Sequence, residues 1–195
     1  STSATSIDEN SGLSLTLTAT LSVATTADVT VTIGTSGTAT EGTDYTDGSG
    51  NIDDLVITAG NTTETISFKP TDDSVYEGDE TATISIDSVS GGEASENGTQ
   101  AVTITISENE SAPTITLSVS ASSIAENSGS TLTITATSSI VADENITVGI
   151  STSGTATEGT DYGTISDITI SSGDTTGTAS FTPTDDSLYE TSTDE

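Results

Sequence analysis

Thr71-Asp72-Asp73-Ser74-Val75-Tyr76-Glu77-Gly78-Asp79-Glu80 packs five carboxylates into ten residues and runs directly into Thr81-Ala82-Thr83-Ile84-Ser85-Ile86. In the second segment every other residue is apolar, the period-two pattern of a half-buried strand, so the acidic stretch reads as a loop at the end of a sheet. Two unit charges about 4 Å apart repel by roughly 1 kcal/mol in water and by about 4 kcal/mol at an effective dielectric near 20. A loop this dense in negative charge calls for a cation. Carboxylate oxygens without His or Cys select a hard ion, and Ca²⁺ accepts the irregular, many-ligand geometry of a loop. The competing reading is a solvated acidic turn, and the recurrence of the stretch later in the chain favours the ion.

Composition narrows the function classes. Thirty-one Asp and Glu stand against a single basic residue, Lys69, for a formal net charge of −30 over 195 residues. Nucleic acid is excluded as a partner because phosphate binding needs a basic face, and an anionic membrane surface is disfavoured for the same reason. Strong acidity with few aromatics also fits disorder, but the regular alternation of apolar residues argues against it. Without Cys there is no thiolate chemistry, and without His the usual neutral-pH acid/base group and transition-metal ligand are missing. No apolar run approaches about 20 residues, so no membrane insertion is expected. Asp72 and Asp73 lie in a wet acidic loop, unlike the apolar pocket that raises a catalytic carboxyl, and no Ser has a His to activate it. The chain is not expected to be an enzyme.

The sequence repeats itself. Ile33-Gly34-Thr35-Ser36-Gly37-Thr38-Ala39-Thr40-Glu41-Gly42-Thr43-Asp44-Tyr45 returns 117 residues later as Ile150-Ser151-Thr152-Ser153-Gly154-Thr155-Ala156-Thr157-Glu158-Gly159-Thr160-Asp161-Tyr162. Glu9-Asn10-Ser11-Gly12 returns at the same offset as Glu126-Asn127-Ser128-Gly129. Phe68-Lys69-Pro70-Thr71-Asp72-Asp73-Ser74-Val75-Tyr76-Glu77 returns 113 residues later as Phe181-Thr182-Pro183-Thr184-Asp185-Asp186-Ser187-Leu188-Tyr189-Glu190. The second copy is therefore four residues shorter in between.

In the first copy, strands are expected where Leu13, Leu15, Leu17, Ala19 and Leu21 alternate with Ser and Thr, at residues 29–33, at 55–57 and 66–68, and at 81–86 and 102–106. Ala59-Gly60-Asn61 reads as a hairpin turn between two of them. Short antiparallel strands with Thr on the outer positions predict an all-β chain of tandem immunoglobulin-like β-sandwiches. The two modules are expected over 1–111 and 112–195. The second opens with a strand at 114–119 that the first lacks, and it stops before counterparts of 81–86 and 102–106. Two expectations follow: a window on a longer tandem array, or strands donated by neighbouring subunits.

These residues resemble the Calx-beta family, on Gly37-Thr38-Ala39 through Asp44-Tyr45 and on Asp72-Asp73 through Tyr76-Glu77-Gly78-Asp79-Glu80, each repeated at matching spacing. The resemblance implies Ca²⁺ at one pole of the sandwich, held by Glu9, Asp44, Asp72, Asp73, Glu77 and Glu80, the Val75 carbonyl, and Glu108 and Glu110 past the final strand. In the second module it implies Glu126, Asp161, Asp185, Asp186, the Leu188 carbonyl and Glu190. Gly78 and Asn109 depart from the family's more acidic pattern, and Thr191-Ser192-Thr193 replaces Gly78-Asp79-Glu80. One or two ions are expected in the first module and a weaker site in the second. Only Ser111 and Ala112 separate Glu110 from Pro113, so a bound ion is expected to stiffen the module junction. The function read from the sequence is a calcium-binding structural segment of an extracellular or cell-surface protein, such as an adhesin, surface layer or sheath. Its partners are neighbouring repeats of the same or an identical chain. The alternatives are a filament subunit completed by strand exchange, giving a homopolymer, and a module binding sugar or protein.

Overall fold

Along Leu15-Thr16-Leu17-Thr18-Ala19-Thr20, Leu15 and Leu17 are buried while Thr16 and Thr20 face solvent, and the same division recurs in strand after strand. The computed structural model describes residues 1–186. They fall into two units, Ser1–Asp73 with Gly78–Glu110, and Ser74–Glu77 with the chain from Ser111 onward.

The first unit contains β1 (Ser6–Asp8), β2 (Leu15–Thr20), β3 (Val29–Gly37), β4 (Tyr45–Thr46), β5 (Leu55–Ile57) and β6 (Thr63–Pro70). After β7 (Val75–Tyr76), which groups with the second unit, come β8 (Glu80–Ser90) and β9 (Ala101–Ser107). One sheet runs β1-β9-β8-β3-β5 and the other β2-β6-β4. Between them lie Leu15, Leu17, Tyr45, Phe68, Ile84 and Ile104, with Val29, Val31, Leu55 and Ile57 forming an adjoining cluster. The Tyr45 and Phe68 rings stack with centroids 4.7 Å apart, a favourable aromatic geometry at the centre of the core.

Two expectations from local pattern need correction. Leu13 lies outside β2 and is exposed, because the preceding turn of residues 9–11 ends at Gly12, whose φ of 64° reverses the chain. Ala59-Gly60-Asn61 is not a hairpin turn: β5 pairs with β3, while β6 pairs with β2 and β4. The chain changes sheets there, and the Gly60 N–H donates to the Thr25 carbonyl at 2.9 Å. Strand β3 also runs four residues past Ile33. Its last residue, Gly37, has φ 129° and lies against β8 so closely that a Cβ would sit 2.0 Å from the Thr81 carbonyl oxygen. Only glycine satisfies both conditions. In β8, Asp87 is the extra residue of a bulge, since Thr32 faces Ser88 while Ile33 faces Ile86.

The second unit contains β10 (Ile115–Val119), β11 (Leu132–Ser138), β12 (Val141–Ala142), β13 (Ile146–Val148), β14 (Ile168–Ile170) and β15 (Thr176–Phe181). Its sheets are β10-β11-β15, β13-β14, and β12 paired in parallel with β7. Ala136, Ile168 and Ile170 are buried, and Tyr162 and Phe181 repeat the ring contact at 4.9 Å. The core is smaller than that of the first unit, and Phe181 is half-buried where Phe68 is fully buried. Emptying the Phe68 site in Phe68→Ala is expected to cost about 3–5 kcal/mol, and Phe181→Ala clearly less. Urea unfolding checks this, and equal losses for the two variants would contradict the packing described.

Candidate metal centre

Register brings the first acids together. β1 pairs in parallel with β9, with Asp8 opposite Ser107, so the two strands deliver Glu9 and Glu108 side by side at the same end of the sheet. Glu9 opens the short 3₁₀ turn Glu9–Ser11 and is 6% exposed, unusual for a carboxylate. Its Oε1 accepts the Asp73 backbone N–H at 3.2 Å, which ties the acidic loop to the turn. Glu108 is held at several points. Its N–H donates to Asp79 Oδ1 at 3.0 Å, its Oε2 accepts the Gly78 N–H at 2.8 Å, and its Oε1 accepts the N–H groups of Asn109 and Glu110 at 2.8 and 2.9 Å.

Glu110 completes the group. One carboxylate oxygen from each of Glu9, Glu108 and Glu110 lies within 4.8 Å of the other two. Asn109 Nδ2 donates to Glu110 Oε1 at 2.9 Å, whereas Glu110 Oε2 is buried with no hydrogen-bond partner. An ionised carboxylate is acceptor only, so its charged neighbours cannot satisfy that oxygen. Either a shared proton or a cation can.

Electrostatics report the same crowding. The Glu9 carboxyl is pushed up to about 7, first by burial, against the opposing Asp73 N–H, and further by the charges of Glu108, Glu110 and Asp73. Glu110 is also raised, first by pairing with the Glu108 carboxyl, then by burial, then by the charges of Glu108 and Asp72. Asp72 and Asp73 are themselves exposed and act on the cluster from its rim.

Asp44 and Glu80 form a second association in this unit, with carboxylate oxygens within 4.8 Å of each other. Asp44 is 9% exposed, and its Oδ2 accepts the Thr40 N–H, closing the turn before β4. Its carbonyl accepts the Thr71 N–H at 2.9 Å, fixing the start of the acidic loop. Val75 and Glu77 lie in the segment Ser74–Glu77, which belongs with the second unit.

The second unit repeats the scaffold. Glu126 opens a matching 3₁₀ turn, and its Oε1 accepts the Asp186 N–H at 2.9 Å. Asp161 Oδ2 accepts the Thr157 N–H, and its carbonyl accepts the Thr184 N–H at 2.9 Å. Asp185 and Asp186 are exposed, and Glu126 and Asp161 half-buried. Leu188 and Glu190 lie outside the described residues. Among the described residues, no cluster of three acids forms from this copy alone.

The donor set fits a hard divalent cation: three oxygens from three carboxylates, one of them buried without a donor, in a chain with one Lys and no Arg or His. With the ion chelated, Glu9 confers a definite pH dependence. Its folded value near 7 lies above the ordinary carboxylate value of 4.5, so the folded state holds the proton more tightly. That contribution to stability is complete below about pH 4.5 and is lost as pH rises through about 7, by up to about 3 kcal/mol. Urea unfolding in EDTA across this range should show the fall for the parent chain and a flatter profile for Glu9→Gln; identical profiles would contradict it.

Comparison with known proteins gives the family. The Calx-beta domain family model matches residues 1–110 and again 108–194. No curated protein matches. Similar solved structures are the crystal structure of CBD12 from CALX1.2, 20% identical with a TM-score of 0.44, covering 91% of this chain and 71% of that one, and the crystal structure of calcium binding domain CBD12 of CALX1.1, 19% identical with a TM-score of 0.44, covering 93% and 73%. Matched twice along its length, and built of paired sheets in which Glu9 and Glu126 occupy equivalent turns, this chain belongs to the Calx-beta domain family as a tandem pair.

Proposed function

We propose that the chain is a calcium-binding structural segment, with Glu9, Glu108 and Glu110 holding Ca²⁺ and Asp72 and Asp73 lending charge at the rim. The observation that carries the reading is the buried, partnerless Glu110 Oε2 beside two further carboxylates. When bound, the ion supplies positive charge and coordination that replace the missing donors. Asp44 and Glu80 offer a second, weaker position. Glu126, Asp161, Asp185 and Asp186 belong to the same proposal for the second copy, where the hydrogen bonds that hold Glu126 and Asp161 are repeated. Ligands drawn from a turn, a loop and the exit of β9 couple binding to folding.

The role is mechanical. Residues 108–110 both supply ligands and lead into the short segment Ser111-Ala112-Pro113, so an ion fixes the direction in which the chain leaves the first unit. Repeated along an array, this makes a segment that stiffens in calcium, suited to an adhesin, surface layer or sheath outside the cell. Extracellular modules typically bind Ca²⁺ at about 10⁻⁴ to 10⁻³ M, and the lack of Cys and the strong acidity fit a soluble, ion-rich setting.

Thermal unfolding in calcium against EDTA tests the site, with small-angle scattering on the same samples testing stiffening. Calcium at a hundred times its dissociation constant is expected to stabilise by about 2.7 kcal/mol per independent site. Glu110→Gln, which removes one charge at nearly constant shape, should weaken binding about tenfold or more. The scattering maximum dimension should change between calcium and EDTA. Equal stability in the two buffers sinks the calcium reading, and equal dimensions sink the mechanical one.

A further inference from the structure

The two copies differ at one sheet edge, and the difference exposes a docking groove. In the second unit, β10 covers the outer edge of β11, with Ile115 opposite Ser138, Leu117 opposite Ala136 and Val119 opposite Ile134. The repeat maps β11 onto β2, so the equivalents of Ser138, Ala136 and Ile134 are Leu21, Ala19 and Leu17. In the first unit that edge carries much less. A single bridge joins Thr2 to Leu17, the Ser1 ammonium donates to the Thr18 carbonyl at 2.9 Å, and the Thr18 N–H returns a bond to the Ser1 carbonyl at 2.8 Å. Beyond Thr18 no strand pairs with this side of β2.

A groove of about 880 Å³ opens there between the two sheets, lined by Leu17, Ala19, Leu21, Ile33, Ile86 and Val102 among others. Ala19, Leu21, Ile33, Ile86 and Val102 are only half-buried. Such an edge pairs readily with an added strand whose alternate side chains fill the groove. Strand β10 has the required pattern, and its own unit covers it poorly: Leu117 is 58% and Val119 55% exposed, although both lie on the same side of their sheet as the buried Ala136. The segment is also uncharged from Ser111 through Ala125 in a chain of net charge −30, while Glu93 and Glu96 stand on the groove wall. Most other segments of this chain would bring carboxylates to that wall; this one does not.

We infer that the groove beside β2 accepts the β10 strand of a second copy of this chain, antiparallel to β2, with Leu117 opposite Ala19, Ile115 opposite Leu21 and Val119 competing with Thr2 for the place beside Leu17. The contact joins unlike surfaces of two copies, so repetition leads to open chains of molecules rather than to a closed dimer. It is independent of the calcium site.

The absence of cysteine allows a direct test. A protein carrying Ala19→Cys is mixed with one carrying Leu117→Cys, and in parallel with one carrying Ser118→Cys, whose side chain lies on the opposite face of the strand. Under mild oxidation, the Ala19→Cys with Leu117→Cys heterodimer is expected to form about tenfold or more faster than the Ser118→Cys pairing, because docking raises the effective concentration of the matched thiols. A free peptide of residues 113–120 should suppress it. Equal rates for the two donors, no cross-link from either, or a cross-link that the peptide leaves unchanged would each overturn the inference.

Discussion

Parallel pairing of a three-residue strand along the last strand of the first unit is the constraint on which the candidate site depends. It places Glu9 and Glu108 at equivalent positions beyond the ends of β1 and β9, and residues 108–110 then fold back so that Glu110 joins them. The apolar anchor of β1 is Ile7, buried against Ile104 and Ile106 in the core. Burial of one isoleucine thus helps to hold three like charges together, an arrangement that water and protein alone satisfy incompletely. The fold stabilises the crowding, and the crowding creates the demand for a cation.

Around that point the scaffold is made of backbone hydrogen bonds that are indifferent to the ion. The Asp44 carbonyl holds Thr71, Glu9 holds Asp73, and the Glu108 carboxylate holds Gly78, so the acidic loop is pinned at its start, middle and end. The first two ties recur in the second copy, at Asp161 with Thr184 and at Glu126 with Asp186. What does not recur among the described residues is the pair of acids after a final strand. The tandem therefore carries one fully built acidic cluster and one partial scaffold, which accords with cation binding concentrated in the first copy.

Much of the sandwich was legible because period-two alternation is a local property: the strands around Leu15 and Leu17, Val29 and Val31, Ala82 and Ile84, and Ile104 and Ile106 lie where the pattern puts them. Sheet membership was not, because it is decided by distant partners. Ile57 and Ile66 look like two arms of a hairpin around Gly60, yet they belong to opposite sheets. Strand β1 escaped notice since Ser6-Ile7-Asp8 contains a single apolar residue, too few for any periodicity. The acids were nameable from the resemblance, but their grouping was not. Asp72 and Asp73 carry the most conspicuous local signal and are exposed, whereas Glu9, isolated in sequence, is buried. Which carboxylate loses water is set by the register of β1 against β9, and no local pattern encodes it.

The central claim is that Glu9, Glu108 and Glu110 share a divalent cation. The most direct measurement is an anomalous difference map from crystals grown in calcium. The account predicts a peak with carboxylate oxygens of Glu9, Glu108 and Glu110 at about 2.3–2.6 Å. A map in which these three carboxylates stand apart around solvent, with calcium absent or held only elsewhere, would contradict it.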